Sequence, residues 1–179
     1  MERDEAGTHG RVARIRAEVT DPAVLRHGGR VVRSVGDGFL VEFPSAVSAL
    51  EAAIEIQRAM ADRNRAVSTH ERIDHRIGIN LGDILVDEHD IAGTGVNVAA
   101  RLEALAPPGG IAVSATVREQ VRQNLGIRFI DGGEHRVKNI SRPVRVFHVG
   151  LDGAAPQAPA RTGRGRRWAA AALVLLAVF

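Results

Sequence analysis

The dipeptide Asp37-Gly38, inside RSVGDGFLVEF (residues 33–43), constrains this chain more than any other feature. Asp-Gly between two apolar runs is the strongest short-range signal for a two-residue β-hairpin, because the central positions favour positive φ. Val31, Val32 and Val35 precede it, and Phe39, Leu40, Val41 and Phe43 follow it. The spacing therefore predicts a hairpin over 30–43. Whether Asp37 is only a turn residue or also a metal ligand stays open at the level of the hairpin.

The flanking sequence alternates strand and helix signals. Val12, Ile15, Val19 and Leu25 recur at helical spacing up to Gly28-Gly29, with a kink or a fresh start at Asp21-Pro22. Residues 45–62 read as the clearest helix, with Val47, Leu50, Ile54 and Ala61 on one face. Residues 73–87 alternate through Ile77, Ile79 and Leu81 and turn at Gly82-Asp83, which predicts a second hairpin. A helix is expected from about Val96 to Leu105, ended by Pro107-Pro108, then a strand at 111–113 and a helix at 116–123. Strands near 127–130 and 144–149 close the domain. This order predicts an α+β sandwich: one antiparallel sheet with helices on one face.

At 179 residues the chain holds one domain, 1–150, and a tail. It has no Cys, so disulfides and thiolate metal sites are excluded. The net charge of +3 invites a nucleic-acid reading. However, four of the 24 basic residues and only one of the 21 acidic ones lie beyond Gly150, which leaves the first 150 residues neutral. Five Phe and one Trp are also too few for a base-stacking platform. Nucleic acid is therefore not an expected partner. All the basic residues but one are Arg, and the exception, Lys138, marks a place where a compact ammonium could matter.

Residues 151–167 have the Ala, Pro, Gly and Arg composition of a linker. From Trp168 to Phe179 no residue is charged, and an Arg cluster lies immediately before. The segment 168–179 reads either as the start of a transmembrane helix, with the domain held on the cytoplasmic side of the inner membrane, or as an apolar tail that packs on the domain.

In DIAGTGVNVAAR (90–101), a helix starting near Val96 places Asn97 and Arg101 one turn apart on one face. An amide and a guanidinium so placed can grip a ribose and a phosphate. The same segment also fits a surface helix whose Ala99 and Ala100 pack and whose Arg101 meets Glu103 or solvent.

Four blocks, GGRVVRSVGDGFLVEF, HRIGINLGDILVD, DIAGTGVNVAARLEALAPPGGIAVS and HRVKNISRPVRVFHV, resemble in order and spacing the class III adenylate/guanylate cyclase catalytic domain. The resemblance is to the bacterial, membrane-linked type and covers about residues 2–149. It implies a ferredoxin-like nucleotide cyclase sandwich that makes 3′,5′-cyclic AMP and pyrophosphate from ATP for intracellular signal transduction. By resemblance, Asp37 is one of two aspartates holding two Mg²⁺ or Mn²⁺ ions. Asn97 orients the ribose, Arg101 stabilises the transition state at the α-phosphate, and Lys138 reaches the triphosphate. Asp90 accepts from the adenine amino group, and Arg33 stands where adenylate cyclases carry a base-reading lysine.

In this family two domains share each site, one giving the metal aspartates and the other the nucleotide-gripping wall. A homodimer, or a heterodimer with another cyclase domain, is thus implied. The family's domain opens with an apolar strand that carries the other metal aspartate, ahead of the segment matching MERDEAGT. The resemblance therefore implies a sheet whose first strand is missing, with its neighbours unpaired. Three roles are compatible with that: part of a membrane-tethered cyclase, a non-catalytic dimerisation or regulatory module, and the wall-donating half of a heterodimer.

Overall fold

The computed structural model describes residues 5–35, 38–82, 85–87, 90–92, 94–122, 126–136, 143–151 and 172–178. Helix α1 (Glu5–Ile15) runs through a wide turn, Arg16–Thr20, into α2 (Asp21–Arg26), where Pro22 sits in the first turn and needs no amide partner. Of the kink or fresh start expected at Asp21-Pro22, the first is nearer: the backbone stays helical through Thr20 and Asp21, with no side-chain cap, and the helix widens over Arg16–Thr20 just before it. Gly28 adopts φ 71°, and the Gly29 N–H donates to the Val24 carbonyl at 2.9 Å. This left-handed stop satisfies the last carbonyls of α2.

Strands β1 (Arg30–Val35) and β2 (Gly38–Phe43) form the expected antiparallel hairpin. Its register differs by one residue from the expectation. Val35 pairs with Gly38, so the connection consists of residues 36 and 37 rather than 37 and 38, and the ladder is irregular between Val31 and Arg33. Helix α3 (Ala46–Arg65) starts where the Ser45 side chain accepts from the Ser48 N–H at 3.0 Å. Leu50 and Ile54 are buried on it as expected, but Ala61 is exposed and Glu51 is buried. Glu51 lies 3.5 Å from His27 Nδ1, and Glu55 lies 2.9 Å from Nε2 of the same ring.

The remaining elements are β3 (His75–Leu81), β4 (Leu85–Asp87), β5 (Asp90–Ala92), α4 (Thr94–Leu105), β6 (Ile111–Ser114), α5 (Ala115–Val121), β7 (Phe129–His135), β8 (Val144–Val149) and β9 (Ala172–Val178). Among the described residues, seven strands make one sheet in the order β1-β2-β9-β3-β6-β8-β7. Every ladder in it is antiparallel except β3–β6, which is parallel and is crossed by α4. The second hairpin forms differently from the expectation. β4 pairs with β5 in a separate two-stranded sheet, so the strand through Ile77 does not fold back on 85–87.

The helices cover both faces of the sheet, not one. Phe39, Val41, Phe43, Ile77 and Ile79 share a core with α3 and α5, including Leu50, Ile54, Met60 and Val117. Helix α4 lies on the opposite face, where Leu40 meets Val96 and Ala99. Strand alternation explains the division, since neighbouring residues of β2 and β3 point to opposite faces. At Gly78 the approach is so close that a Cβ would overlap the backbone N of Glu103 and the carbonyl O of Ala99. On the α3 side, Gln57 Nε2 donates to the carbonyls of both His75 (3.0 Å) and Gly110 (2.8 Å), fastening α3 to the start of β3 and to the loop before β6.

Of the two readings of the tail, a membrane helix and an apolar segment packed on the domain, the described residues show the second. Residues 172–178 form a strand, not a helix, and it runs antiparallel to both neighbours, from Phe39↔Leu176 to Phe43↔Ala172 and from His75↔Val178 to Leu81↔Ala172. The sheet is therefore closed at its centre, and β2 and β3 are paired where the missing first strand implied open edges. Among the described residues no helix is long and apolar enough to cross a membrane.

Candidate functional site

Helix α4 separates packing from chemistry along its own surface. Gly95, Val96, Val98, Ala99, Leu102 and Glu103 are buried, whereas Asn97 and Arg101 are exposed. Four residues span about one turn, so the amide and the guanidinium stand one above the other on the solvent face. Packing against the sheet, rather than polarity alone, decides this orientation. With Val96 and Ala99 held on Leu40, positions 97 and 101 are turned outward.

Two further elements reach the same end of the domain. Val32 of β1 and Ala100 of α4 pack on the Leu40 cluster, and Arg33, next along β1, is exposed. Strand β5, which begins at Asp90, lies against both β1 and α4. The structure thus brings together the elements that carry Arg33, Asp90, Asn97 and Arg101. Asp37 and Lys138 lie outside the described residues.

A cavity of about 460 Å³ opens beside the first turn of α4, bounded by Asn80, Gly82, Thr94, Ser114, Thr116 and Arg145. Asn80 is buried and its Nδ2 donates to the Gly95 carbonyl at 3.2 Å, which fixes the end of β3 to the start of α4. Arg145 pairs with Asp131 at 2.5 Å and lies 5.7 Å from the centre of the Phe147 ring. The hydrogen bond from Arg145, supported by the Gly133 N–H, holds the Asp131 carboxyl below its usual range. Sequence reasoning passed over this cavity. Asn80, a lone amide between Ile79 and Leu81 in an apolar strand, is the signal that marks it.

The sequence profile described as "Adenylate and Guanylate cyclase catalytic domain" matches residues 17–149. The chain belongs to this family. The cyclase domain is 51% identical over 147 residues to "Putative adenylate cyclase 3" of Rhizobium meliloti (strain 1021), a match covering 82% of this chain and 25% of that protein. It is 31% identical over 100 residues to "Adenylate cyclase" of Streptomyces coelicolor, covering 55% of this chain and 24% of that one. The chain thus spans about a quarter of the length of these two curated relatives. Among solved structures, the adenylate/guanylate cyclase/hydrolase from Silicibacter pomeroyi superposes with TM-score 0.78 at 44% identity, covering 83% of this chain and 88% of that one. The adenylyl cyclase CyaB from P. aeruginosa has the same fold, with TM-score 0.67 at 24% identity over 92% and 88% of the two chains.

Cyclase domains of this family generally use divalent ions. Among the described residues no group of three or more His, Asp or Glu side chains is placed to hold one. The strand beside β2, with the sequence ALVLLAV, has no oxygen-bearing side chain. Asp37, the carboxylate expected to hold such an ion, is outside the described residues, and the strand placed next to β2 adds no second carboxylate.

Proposed function

We propose that this cyclase domain takes part in converting ATP to 3′,5′-cyclic AMP and pyrophosphate, as the member of a dimer that supplies the nucleotide-gripping wall. The observation that carries the reading is the exposed Asn97–Arg101 pair on α4, beside the elements that bear Arg33 and Asp90. When the ribose 3′-hydroxyl attacks the α-phosphate and pyrophosphate leaves, negative charge grows on the phosphate oxygens. A guanidinium held on a packed helix stabilises that charge without reorganising, an effect worth about 10²–10³ in rate per donor. Asn97, one turn away, fixes the sugar so that the attacking oxygen stays in line. Asp90 accepts from the 6-amino group of adenine; guanine has a carbonyl oxygen at that position, which a carboxylate would repel. Arg33 adds a donor at the base, and Lys138 a compact charge at the phosphates.

The wall-donating reading is favoured over a self-sufficient enzyme by the aliphatic strand that fills the centre of the sheet next to β2. The partner domain would provide the carboxylates for Mg²⁺ or Mn²⁺. The test is complementation. The chain alone should yield no measurable cyclic AMP from ATP and Mn²⁺. Mixed with a cyclase domain that keeps both metal aspartates but has lost its wall arginine, it should restore synthesis. The Arg101→Ala chain should fail to restore it, by about 10²–10³. No restoration at large excess of the wild-type chain would sink the proposal.

A further inference from the structure

Strand β9 occupies an unusual place for the segment that supplies it. It sits in the middle of the sheet, yet both ladders join it to strands remote in sequence, and 20 residues (152–171) separate it from the described end of the preceding segment at Leu151. Strands β8 and β9 run parallel, so the connection crosses three strand spacings, about 14 Å at roughly 4.8 Å each, and also returns along the sheet by about 20 Å, at roughly 3.3 Å per residue, to reach Ala172. An extended 20-residue connection reaches about 66 Å. The two offsets combine to about 24 Å, so the connection is more than twice as long as the gap and sets no requirement that the strand stay seated.

The residues of the strand are Ala, Leu and Val only, without Gly, Pro, charge or amide. Its recognition thus rests on the two backbone ladders and on aliphatic bulk, which is how a sheet edge takes up an added strand. The slot has two edges instead of one. Its walls, β2 and β3, are each held independently: β2 by the β1 hairpin, and β3 by its parallel ladder with β6 and by α4. Helix α4 also lies over β9, and α3 touches it from the other face, so withdrawal of the strand uncovers part of both helices while the β1–β2 and β3–β6 ladders stay intact.

We propose that residues 172–178 form a tethered, releasable strand. Seated in cis it completes the sheet; withdrawn, it leaves a two-edged strand-binding slot between β2 and β3. The slot borders the turn carrying Asp37, since the β2–β9 ladder ends at Phe39↔Leu176, two residues from that position. Occupancy of the slot therefore decides whether β2, and with it the Asp37 turn, is braced on both sides or on one. This device is independent of the nucleotide that the domain accepts.

The chain has no cysteine, so a Val41→Cys/Val174→Cys variant carries a single pair at opposed register positions. Facing Cα atoms across an antiparallel ladder lie within about 5.5 Å, inside disulfide reach. In the intact chain, oxidation should give a monomer-sized species on a non-reducing gel. It should slow hydrogen exchange of β2 and β3 amides at least tenfold relative to the reduced protein, with β7 and β8 unchanged. Val174→Pro, which removes a ladder donor, should speed exchange in β2 and β3 at least tenfold. A lysine-tagged ALVLLAV peptide should bind this variant but not the oxidised pair.

Three results would overturn the proposal. The first is a disulfide that fails to form or forms only between chains, which would mean exchange with a second copy. The second is no difference in β2 and β3 exchange between oxidised and reduced protein, which would show that the strand leaves only on global unfolding. The third is unaltered exchange in Val174→Pro, which would show that the strand is not seated. Should Val174→Pro fail to fold, the oxidised–reduced comparison alone decides.

Discussion

The two faces of the sheet are built to different rules. The α3 face is a thick aliphatic layer, in which Leu50, Ile54, Met60, Ile77, Ile79 and Val117 interlock with Phe39, Val41 and Phe43. The α4 face is thinner and divided. A glycine lies under the helix, with Leu40, Val96 and Ala99 forming one small cluster and Val98, Leu102 and Ala106 packing on Ala112 and Val146 in another. The larger apolar layer thus lies away from the candidate chemistry, which stands on a helix that meets the sheet backbone directly at Gly78. A thick layer tolerates repacking, whereas a contact between backbones does not.

Substitutions that separate the faces should follow that contrast. Gly78→Val should have the largest effect, because the new side chain meets α4 main chain that cannot move aside. We expect loss of the cooperative transition in urea, and a variant that melted like the wild type would refute the close approach. Leu50→Ala, on the thick face, should cost about 2–5 kcal/mol in urea unfolding, with α4 left in place. His75 is buried, and among the described residues its Nδ1 has no partner; burial pushes its pKa down to about 4.

The unfolded chain therefore binds a proton that the folded chain refuses. Stability should be undiminished above about pH 6.5 and fall as the pH drops towards 4, by about 3 kcal/mol in all. His75→Gln should flatten that profile, and an unchanged slope would exclude His75 as its source. Ser45→Ala should cost about 1 kcal/mol through the lost cap of α3, measurable as a small shift in urea midpoint. Arg101→Ala should change stability least, within about 0.5 kcal/mol, while abolishing complementation in the mixed assay. That pairing is the sharpest expression of the difference between the faces.

Much of this was legible in the chain because local chemistry and global fold agree. The Asp-Gly signal located the hairpin, Gly28-Gly29 stopped the first helical region, and the apolar spacing over 45–62 marked α3. The Asn97–Arg101 spacing put both side chains on one exposed face before any packing was known. The roles of those two residues came from resemblance, since a surface helix would carry the same spacing. What the sequence hid was long-range. Alternation along β3 identifies a strand but not its partners, so the preference of 85–87 for 90–92 was invisible. The division of helices between faces depends on Gly78, whose missing side chain reads as neutral until a helix is laid on it. The run ALVLLAV fits a buried strand and half a membrane helix equally well by hydropathy. The Arg cluster before it favoured the membrane, and the pairing with two strands remote in sequence could not be read from the run itself.

Gly78 has one more consequence. A helix cushioned on long side chains can slide or roll slightly as those chains change rotamer. Where α4 crosses Gly78, no such compliant material lies beneath it, and its height above the sheet is set by atoms that have no torsional freedom of their own. Whatever projects from its far side inherits that reference plane, so the aim of Arg101 is calibrated by a hydrogen atom on the floor of the domain.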